Sequence, residues 1–265
     1  MRTIIMKAED ICKGNLILVN HAYGYRPQYP DLTRVGTWEG ADVLYESTAA
    51  CALDKLMAKI GGTGRIVPVS AWRSMEEQQT IWDDSLAENG LEFTQKFVAV
   101  PGHSEHQTGL AIDLALSQPE IDFIRPYFPY NGICQTFRER AWAYGFVERY
   151  QEEKQSVTQI GYEPWHFRYV GTPHAEIMTR MGLALEEYIA LIKQYCYGKN
   201  PLRYEAENGT AYAVSYLAAN LKKNVCSKVD GRTAQEPVAV FEIDDTRQYC
   251  ISGNNCDGFI VTQIC

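Results

Sequence analysis

An aspartate in the middle of an apolar stretch, Leu110-Ala-Ile-Asp-Leu-Ala-Leu116, constrains the fold more than any other feature of the sequence. The stretch follows a turn-rich segment that ends at Gly109, and its length and composition are typical of a β-strand. A carboxylate without a partner is costly to bury in such a strand, so Asp113 is hard to explain as solvated surface. The sequence therefore predicts a strand that carries a functional carboxylate, and a role as metal ligand is favoured.

Two sequence motifs combine a histidine with a carboxylate. The first, S-x-H-x-x-G-x-A-x-D, places His106 in the turn before the strand and ends at Asp113. The second, E-x-W-H, places Glu163 three residues before His166, at the entrance of another predicted strand. Two histidines and one carboxylate form a three-ligand set that leaves zinc a fourth position for water, and the remaining carboxylate can take the proton of that water. A lone histidine is more often structural, but the two motifs in this order favour metal binding.

Hydrolysis of an amide by such a site needs a donor for the negative charge that develops on the carbonyl oxygen. A substrate with a free C-terminal carboxylate also needs a cation, and the two-pronged guanidinium of arginine suits it best. Arg73 lies between a predicted strand, Ile66-Val-Pro-Val-Ser70, and a helix that Ser74 and Glu77 begin with a capping box. Arg73 is therefore the candidate cation, and a salt-bridged surface arginine is the alternative.

Roughly residues 10–195 resemble the D,D-carboxypeptidases and D,D-dipeptidases of vancomycin resistance, the VanY, VanX and VanXY group. Both motifs of that family are present without departure. The resemblance implies a set of roles: His106, Asp113 and His166 as ligands of one zinc ion, Glu163 as catalytic base and acid, Arg73 as stabiliser of the tetrahedral intermediate, and Gln79 and Ser104 as holders of the terminal carboxylate of the substrate. We expect Trp165 in the wall of the substrate pocket. Trp72 stands where tyrosine is common in the family, and it could reshape that pocket.

The resemblance implies removal of the C-terminal D-alanine from D-Ala-D-Ala, from peptidoglycan precursor pentapeptides, or from both, and hence a role in glycopeptide resistance. The VanXY branch, which is cytoplasmic and acts on both substrates, fits best because the sequence shows no signal peptide, although a chain trimmed of a membrane anchor would look the same. Three alternatives stay open: an L,D-carboxypeptidase for tetrapeptides, a phage-type endolysin, and a non-catalytic peptidoglycan-binding module. Glu163 argues against the binding module, since binding needs no general base. The absence of an evident wall-anchoring repeat disfavours the endolysin.

Charge and hydropathy exclude other partners. The formal net charge of −8 argues against nucleic acid, whose phosphates are held by dense Lys/Arg patches. The longest apolar run near the N-terminus, Leu16-Ile-Leu-Val19, is too short to span a membrane. Disulfides, free thiols and a metal site are all open for the four cysteines of the last forty residues, which are Cys226, Cys250, Cys256 and Cys265. The sequence does not constrain the oligomeric state.

Helices and strands follow one another without regular alternation, so the predicted class is α+β. We expect a single zinc-peptidase core over residues 1–198, in which helices flank a central antiparallel sheet, and a small α+β extension of unknown role over residues 199–265. The extension is predicted to contain a helix over residues 211–222. In the core, residues 16–20 are predicted as the first strand, and the helix that begins after Ser74 is predicted to end at Gly90. Another helix is predicted within residues 173–197, before Gly198.

Overall fold

The structure is a computed structural model, and it describes residues 1–26, 30–221, 227–229, 232–234 and 237–265. Its contacts form two compact units, one of Val19–Glu186 and one of Met1–Leu18 with Glu187–Cys265. This division differs from the predicted boundary after residue 198, because residues from both ends of the chain pair within the second unit. A peptidase domain over residues 1–198 with an extension over residues 199–265 stays a prediction.

The described residues form fourteen β-strands and six α-helices. The strands are β1 (Arg2–Met6), β2 (Leu32–Trp38), β3 (Ala41–Glu46), β4 (Ile66–Ser70), β5 (Ala111–Leu116), β6 (Phe146–Tyr150), β7 (Glu163–Tyr169), β8 (Leu202–Glu205), β9 (Ala211–Ala218), β10 (Ser227–Val229), β11 (Arg232–Ala234), β12 (Ala239–Ile243), β13 (Tyr249–Gly253) and β14 (Gly258–Ile264). The helices are α1 (Ser47–Ile60), α2 (Met75–Phe97), α3 (Gly132–Ala141), α4 (Gln155–Thr158), α5 (His174–Met181) and α6 (Leu185–Ile192).

The unit Val19–Glu186 contains a four-stranded antiparallel sheet in the order β4-β5-β7-β6. The central strands β5 and β7 are almost wholly buried, although only β5 is mainly apolar in sequence. Pro68 lies in β4 at the edge of the sheet, where a residue without an N–H is tolerated. The α+β class and the antiparallel sheet of the predicted core are therefore confirmed.

The start of helix α2 fixes the direction of the chain next to Arg73. The Glu77 backbone N–H donates to Ser74 Oγ at 3.1 Å, and the Ser74 backbone N–H donates to the Glu77 carboxylate at 2.7 Å. The predicted capping box is therefore confirmed. The predicted stop at Gly90 is confirmed: Gly90 has non-helical backbone angles, φ 80° and ψ 171°, and it separates two helical segments that together span Met75–Phe97. Glycine adopts such a positive φ without steric cost, so the first segment ends here and a second one follows at an angle.

The predicted helix over residues 211–222 is wrong in its described part. Residues Ala211–Ala218 form β9, which pairs with β8 on one side and β14 on the other. The alanines of this segment favour a helix, but its tyrosines and Val214 suit a sheet, and pairing on both edges decides the outcome. In the described part of residues 199–265 the regular elements are strands, and the main sheet there has the order β13-β14-β9-β8. The extension is thus a β structure in that part, and the predicted α+β mixture is not found there.

Two other predicted elements differ from the structure. Residues 16–20 are buried but form no strand, and the Leu16 backbone N–H donates to Ser252 Oγ at 2.9 Å. The helix predicted within residues 173–197 is divided into α5 and α6, because Gly182 ends α5 in a left-handed conformation. No helix in the described ranges is long and apolar enough to cross a membrane. The seven described cysteines are free thiols, among them Cys250, Cys256 and Cys265, and Cys226 lies outside the described residues.

Candidate metal centre and active site

The two central strands of the first sheet bring two predicted ligands side by side. Asp113 in β5 pairs in register with His166 in β7, so their side chains share one face of the sheet. His106 comes from a short 3-10 turn, Glu105–Thr108, which Gly109 ends at φ 73° immediately before β5. His106 Nε2 lies 3.1 Å from Asp113 Oδ2, and His166 Nδ1 lies 3.0 Å from Asp113 Oδ1.

The other ring nitrogen of each histidine faces a second group. His106 Nδ1 lies 2.6 Å from the Ala71 carbonyl oxygen, which accepts its proton and leaves Nε2 to face Asp113. His166 uses the opposite nitrogens: Nδ1 faces Asp113, and Nε2 lies 3.6 Å from Glu105 Oε2. A hydrogen bond such as that of His106 to Ala71 fixes the tautomer and the ring orientation of a metal-binding histidine.

The three side chains fit a divalent metal ion. One possible ligand atom from each of His106, Asp113 and His166 lies within 4.8 Å of the others, and all three residues are buried. Asp113 Oδ1 is buried and makes no hydrogen bond with the described residues, although it lies against His166 Nδ1. Two imidazoles and one carboxylate are ligands that zinc takes in catalytic sites with an open position, and other divalent metals accept the same ligand types.

The charges of this group are strongly coupled when no ion is bound. Burial opposes ionisation of Asp113, but the two histidines outweigh it and hold the pKa of this carboxyl well below its usual range. Burial and Arg73 lower the pKa of His106 to about 4. Burial also lowers the pKa of His166, but Asp113 and Glu105 outweigh it and raise the pKa to about 9. A proton therefore resides on His166, and a metal ion that takes its Nδ1 must displace that proton.

Glu163 stands at the start of β7 beside this group. Its Oε2 lies 3.6 Å from His166 Nδ1, and the residue is buried. Burial raises the pKa of the Glu163 carboxyl to about 8, against the opposing effect of His166. A carboxyl whose pKa lies near the working pH can both take a proton and return it. Glu163 therefore has the position and the acidity of a general base and acid.

Arg73 is held rigidly at the edge of the same group. Its Nε donates to Ser70 Oγ at 2.7 Å, and its Nη2 lies 2.8 Å from Asp113 Oδ2. The guanidinium carbon also lies 5.7 Å from the centre of the Phe123 ring. Burial lowers the pKa of Arg73 from its ordinary value. An arginine in this position presents a fixed positive charge and further N–H donors to the site.

Comparison with known proteins agrees with this geometry. Residues 43–172 match the model of the family described as VanY: D-alanyl-D-alanine carboxypeptidase. The chain is 41% identical to the bifunctional D-Ala-D-Ala dipeptidase and D-Ala-D-Ala carboxypeptidase VanXYC of Enterococcus gallinarum over 174 residues, which are 65% of this chain and 91% of that protein. The chain belongs to the VanY family.

Two solved structures extend the comparison. The vancomycin-resistance D,D-dipeptidase VanXYg, in complex with a D-Ala-D-Ala phosphinate analogue, is 43% identical, and the match has a TM-score of 0.89 over 100% of this chain and 99% of that one. The E175A mutant of the vancomycin-resistance D,D-pentapeptidase VanY from a VanB-type cassette, in complex with Zn(II), is 31% identical, with a TM-score of 0.56 over 66% of this chain and 98% of that one. The predicted family and fold are therefore confirmed.

The remaining predicted residues of the VanY-family site separate into two groups. Ser104 and Trp165 line the cavity that contains the three candidate ligands and Glu163. Gln79 does not line it, because its side chain is exposed and donates to Asp83 Oδ1 at 2.9 Å. The neighbouring Gln78 lines the cavity instead. On helix α2 one residue corresponds to a turn of about 100°, so this offset of one position moves the amide from the cavity to the surface.

Gln78 is a residue of the site that the sequence reasoning missed. It is fully buried, and its Nε2 donates to the Ala99 carbonyl oxygen at 2.8 Å, while its Oε1 makes no hydrogen bond with the described residues. Helical spacing could have identified it, because Gln78 and the apolar Ile81 lie three residues apart on α2 and line the same cavity. Trp72 lines a neighbouring cavity, and Arg73 lines both this cavity and the one that contains the candidate ligands.

A buried ion network behind His166 was also missed. Glu105 Oε1 lies 2.9 Å from Arg149 Nε and 2.9 Å from Arg168 Nη1, and all three residues are almost fully buried. Aromatic neighbours were the available signal, since Arg149 precedes Tyr150 in β6 and Arg168 lies between Phe167 and Tyr169 in β7. Charges in such positions need partners.

Proposed function

We propose that this chain hydrolyses the terminal peptide bond of D-Ala-D-Ala and of precursor pentapeptides that end in it, and so releases D-alanine. The proposal depends chiefly on one observation: a buried carboxyl, Glu163, beside a His-Asp-His group in one cavity. The bifunctional activity for which VanXYC is named supports both substrates. A role in glycopeptide resistance is then expected, because hydrolysis depletes the precursors that end in D-Ala-D-Ala.

We assign the metal to His106 Nε2, Asp113 and His166 Nδ1, the atoms that face one another. The Zn(II) complex of the VanY structure supports zinc as the ion. When bound, zinc supplies a Lewis acid that polarises the substrate carbonyl and lowers the pKa of water to near 7. The three ligands leave a position open for this chemistry.

Glu163 moves the protons of the reaction. Its carboxylate takes a proton from the attacking water and delivers it to the nitrogen of the leaving D-alanine. A positioned group of this kind contributes about 100- to 10,000-fold to the rate. Burial keeps its acidity near neutral pH, so both transfers are accessible.

Arg73 provides a fixed cation for the negative charge that develops on the carbonyl oxygen. Its bonds to Ser70 and Asp113 orient it before the substrate arrives, which is the condition for such a donor to be effective. Ser104 and Gln78 are proposed to hold the C-terminal carboxylate, the role that the sequence predicted for Ser104 and Gln79.

The test is D-alanine release from two substrates in parallel, D-Ala-D-Ala and a UDP-linked pentapeptide ending in it. We expect release from both, lost on chelation, restored by zinc and reduced at least 100-fold in Glu163→Gln. The exposed acid Glu153 gives a matched control, and Glu153→Gln should keep the wild-type rate.

Other patterns would correct the assignment. Cleavage of a tetrapeptide in place of both substrates would make the protein an L,D-carboxypeptidase. Zinc binding and peptide binding without any hydrolysis would leave a binding module. The cytoplasmic location expected from the sequence stays a prediction, which fractionation of cells that produce the protein tests directly.

A further inference from the structure

A carboxylate that neither motif assigns lies behind His166. Glu105 is 1% exposed and immediately precedes His106. Its two oxygens face different partners. Oε1 accepts from Arg149 Nε and lies close to Arg168 Nη1, both at 2.9 Å. Oε2 has no hydrogen-bond partner among the described residues, and it lies 3.6 Å from His166 Nε2.

His166 Nε2 is the matching unsatisfied atom. It is buried and makes no hydrogen bond with the described part of the chain. Because Nδ1 is the nitrogen that faces Asp113, Nε2 carries the proton whenever Nδ1 binds a metal ion. A buried N–H without an acceptor costs about 1–3 kcal/mol. The separation from Glu105 exceeds a good hydrogen bond by about 0.6 Å, a distance that a small rotation of the ring removes.

We propose that Glu105 is a positioning residue of the metal centre, which accepts the Nε2 proton of His166 and so fixes the ring with Nδ1 towards the metal. This inference rests on the proposed function, since it assumes that His166 Nδ1 is a zinc ligand. The two histidines then differ in their supports. His106 has the neutral carbonyl of Ala71, whereas His166 has a carboxylate, and a charged acceptor makes the stronger hydrogen bond.

The surrounding charges explain why Glu105 can act in this way. A carboxylate removed from water needs cations and hydrogen bonds, and the two arginines supply them at Oε1 only. Oε2 is thereby left for His166. Arg149 is itself held, because its Nη2 lies 2.7 Å from Glu186 Oε1, which also accepts from Asn20 Nδ2 at 3.1 Å. The orientation of a metal ligand therefore depends on a series of buried contacts that begins outside the catalytic cavity.

A purely structural ion pair would affect folding alone, so the experiment separates folding from metal binding. Glu105→Gln removes the charge, and Glu105→Asp keeps the charge but shortens the side chain by one methylene group. The matched control is Glu148→Gln, because Glu148 in β6 also pairs with an arginine, Arg138, at 2.8 Å but contacts none of the proposed ligands. For each variant we would measure the zinc dissociation constant by chelator competition, the visible spectrum of the cobalt-loaded protein, and thermal unfolding without metal.

We expect Glu105→Gln to raise the zinc dissociation constant about 10- to 100-fold and to alter the cobalt spectrum. Glu105→Asp should show the same changes with less effect on unfolding, and it provides the test if Glu105→Gln does not fold. Glu148→Gln should lower the unfolding temperature alone. Wild-type zinc affinity and cobalt spectrum in the folded Glu105 variants would overturn the inference and leave the proposed function intact. Failure of the wild-type protein to bind zinc would overturn both.

Discussion

In the part of the chain that the structure describes, two four-stranded antiparallel sheets differ in the chemistry of their centres. The central strands β5 and β7 of the first sheet bury ionisable side chains, which are Asp113, Glu163, His166 and Arg168. The central strands β9 and β14 of the second sheet bury apolar and neutral polar side chains in their described residues, among them Val214, Ser215, Phe259, Val261 and Thr262. Strand order and direction alone therefore do not determine what the centre of a sheet can contain.

The difference shows what a buried charge requires. In the first sheet Asp113 has Arg73 beside it and Arg168 has Glu105. Buried ion pairs of this kind add little net stability, because desolvation offsets their attraction. Binding and catalysis therefore account for the charged centre, and hydrophobic burial accounts for the apolar one. We expect substitutions in the first centre to change chemistry and substitutions in the second to change stability.

The largest expected effect is on turnover. Arg73→Lys keeps a positive charge beside Asp113 but loses the planar fork that also bonds Ser70. We expect kcat for D-Ala-D-Ala to fall about 100- to 1,000-fold, with an unchanged unfolding temperature for the zinc-loaded protein. Steady-state kinetics and thermal unfolding check this, and a kcat near the wild-type value would remove Arg73 from the mechanism.

The second sheet gives the converse prediction. Phe259 in β14 is fully buried and packs with Ile11 and Val238. Phe259→Ala should lower the free energy of unfolding by about 3–5 kcal/mol, because it leaves a cavity. The value of kcat per folded molecule should stay at the wild-type level. Urea unfolding measures the first quantity, and a large fall in kcat for this variant would contradict the separation of chemistry from stability.

Metal binding should stabilise the protein through the charged centre of the first sheet alone. At a free zinc concentration about 100 times the dissociation constant, the free energy of unfolding should rise by about 2.7 kcal/mol. Asp113→Asn should abolish this increase, whereas Phe259→Ala should keep it. Denaturant titrations with zinc and with a chelator test the prediction. An equal zinc effect in Asp113→Asn would place the ion elsewhere.

Acid should destabilise the protein through a buried histidine of the unit Val19–Glu186. Burial lowers the pKa of His174, at the start of α5, to about 3. Below pH 6.5 the unfolded chain binds a proton here that the folded state does not, so stability falls as the pH decreases towards 3. Between pH 6.5 and 5.5 this amounts to about 1 kcal/mol, because half of the unfolded molecules already carry the proton at pH 6.5. In urea, metal-free His174→Leu should lose less stability over this range than the wild type by that amount, whereas Phe259→Leu should lose as much as the wild type, because the lowered pKa of His106 contributes equally in all three proteins. An unchanged loss in His174→Leu would exclude this cause.

Much of the candidate site could be predicted from the sequence, because its constraints are local. The charge inside an apolar strand identified Asp113, and the spacing of the two motifs identified His106, Glu163 and His166. The structure brings all four together. The capping box was equally local and placed Arg73 correctly at the start of α2.

The errors arose where an outcome depends on distant parts of the chain. Residues 211–218 became a strand because β8 and β14 supply partners on both edges, which composition does not reveal. Gln79 was predicted in place of Gln78 because the choice depends on which face of α2 meets the cavity. Glu105 was missed because its arginines come from β6 and β7, far along the sequence.

The most direct test of the central claim is a zinc titration of the metal-free protein that follows D-alanine release from D-Ala-D-Ala. If His106, Asp113 and His166 hold one catalytic ion, activity should rise in proportion to added zinc and level off at about one equivalent, in keeping with a single three-ligand site. Asp113→Asn should show no such rise. Activity that persists without metal, or that does not level off at about one equivalent of added zinc, would contradict the account.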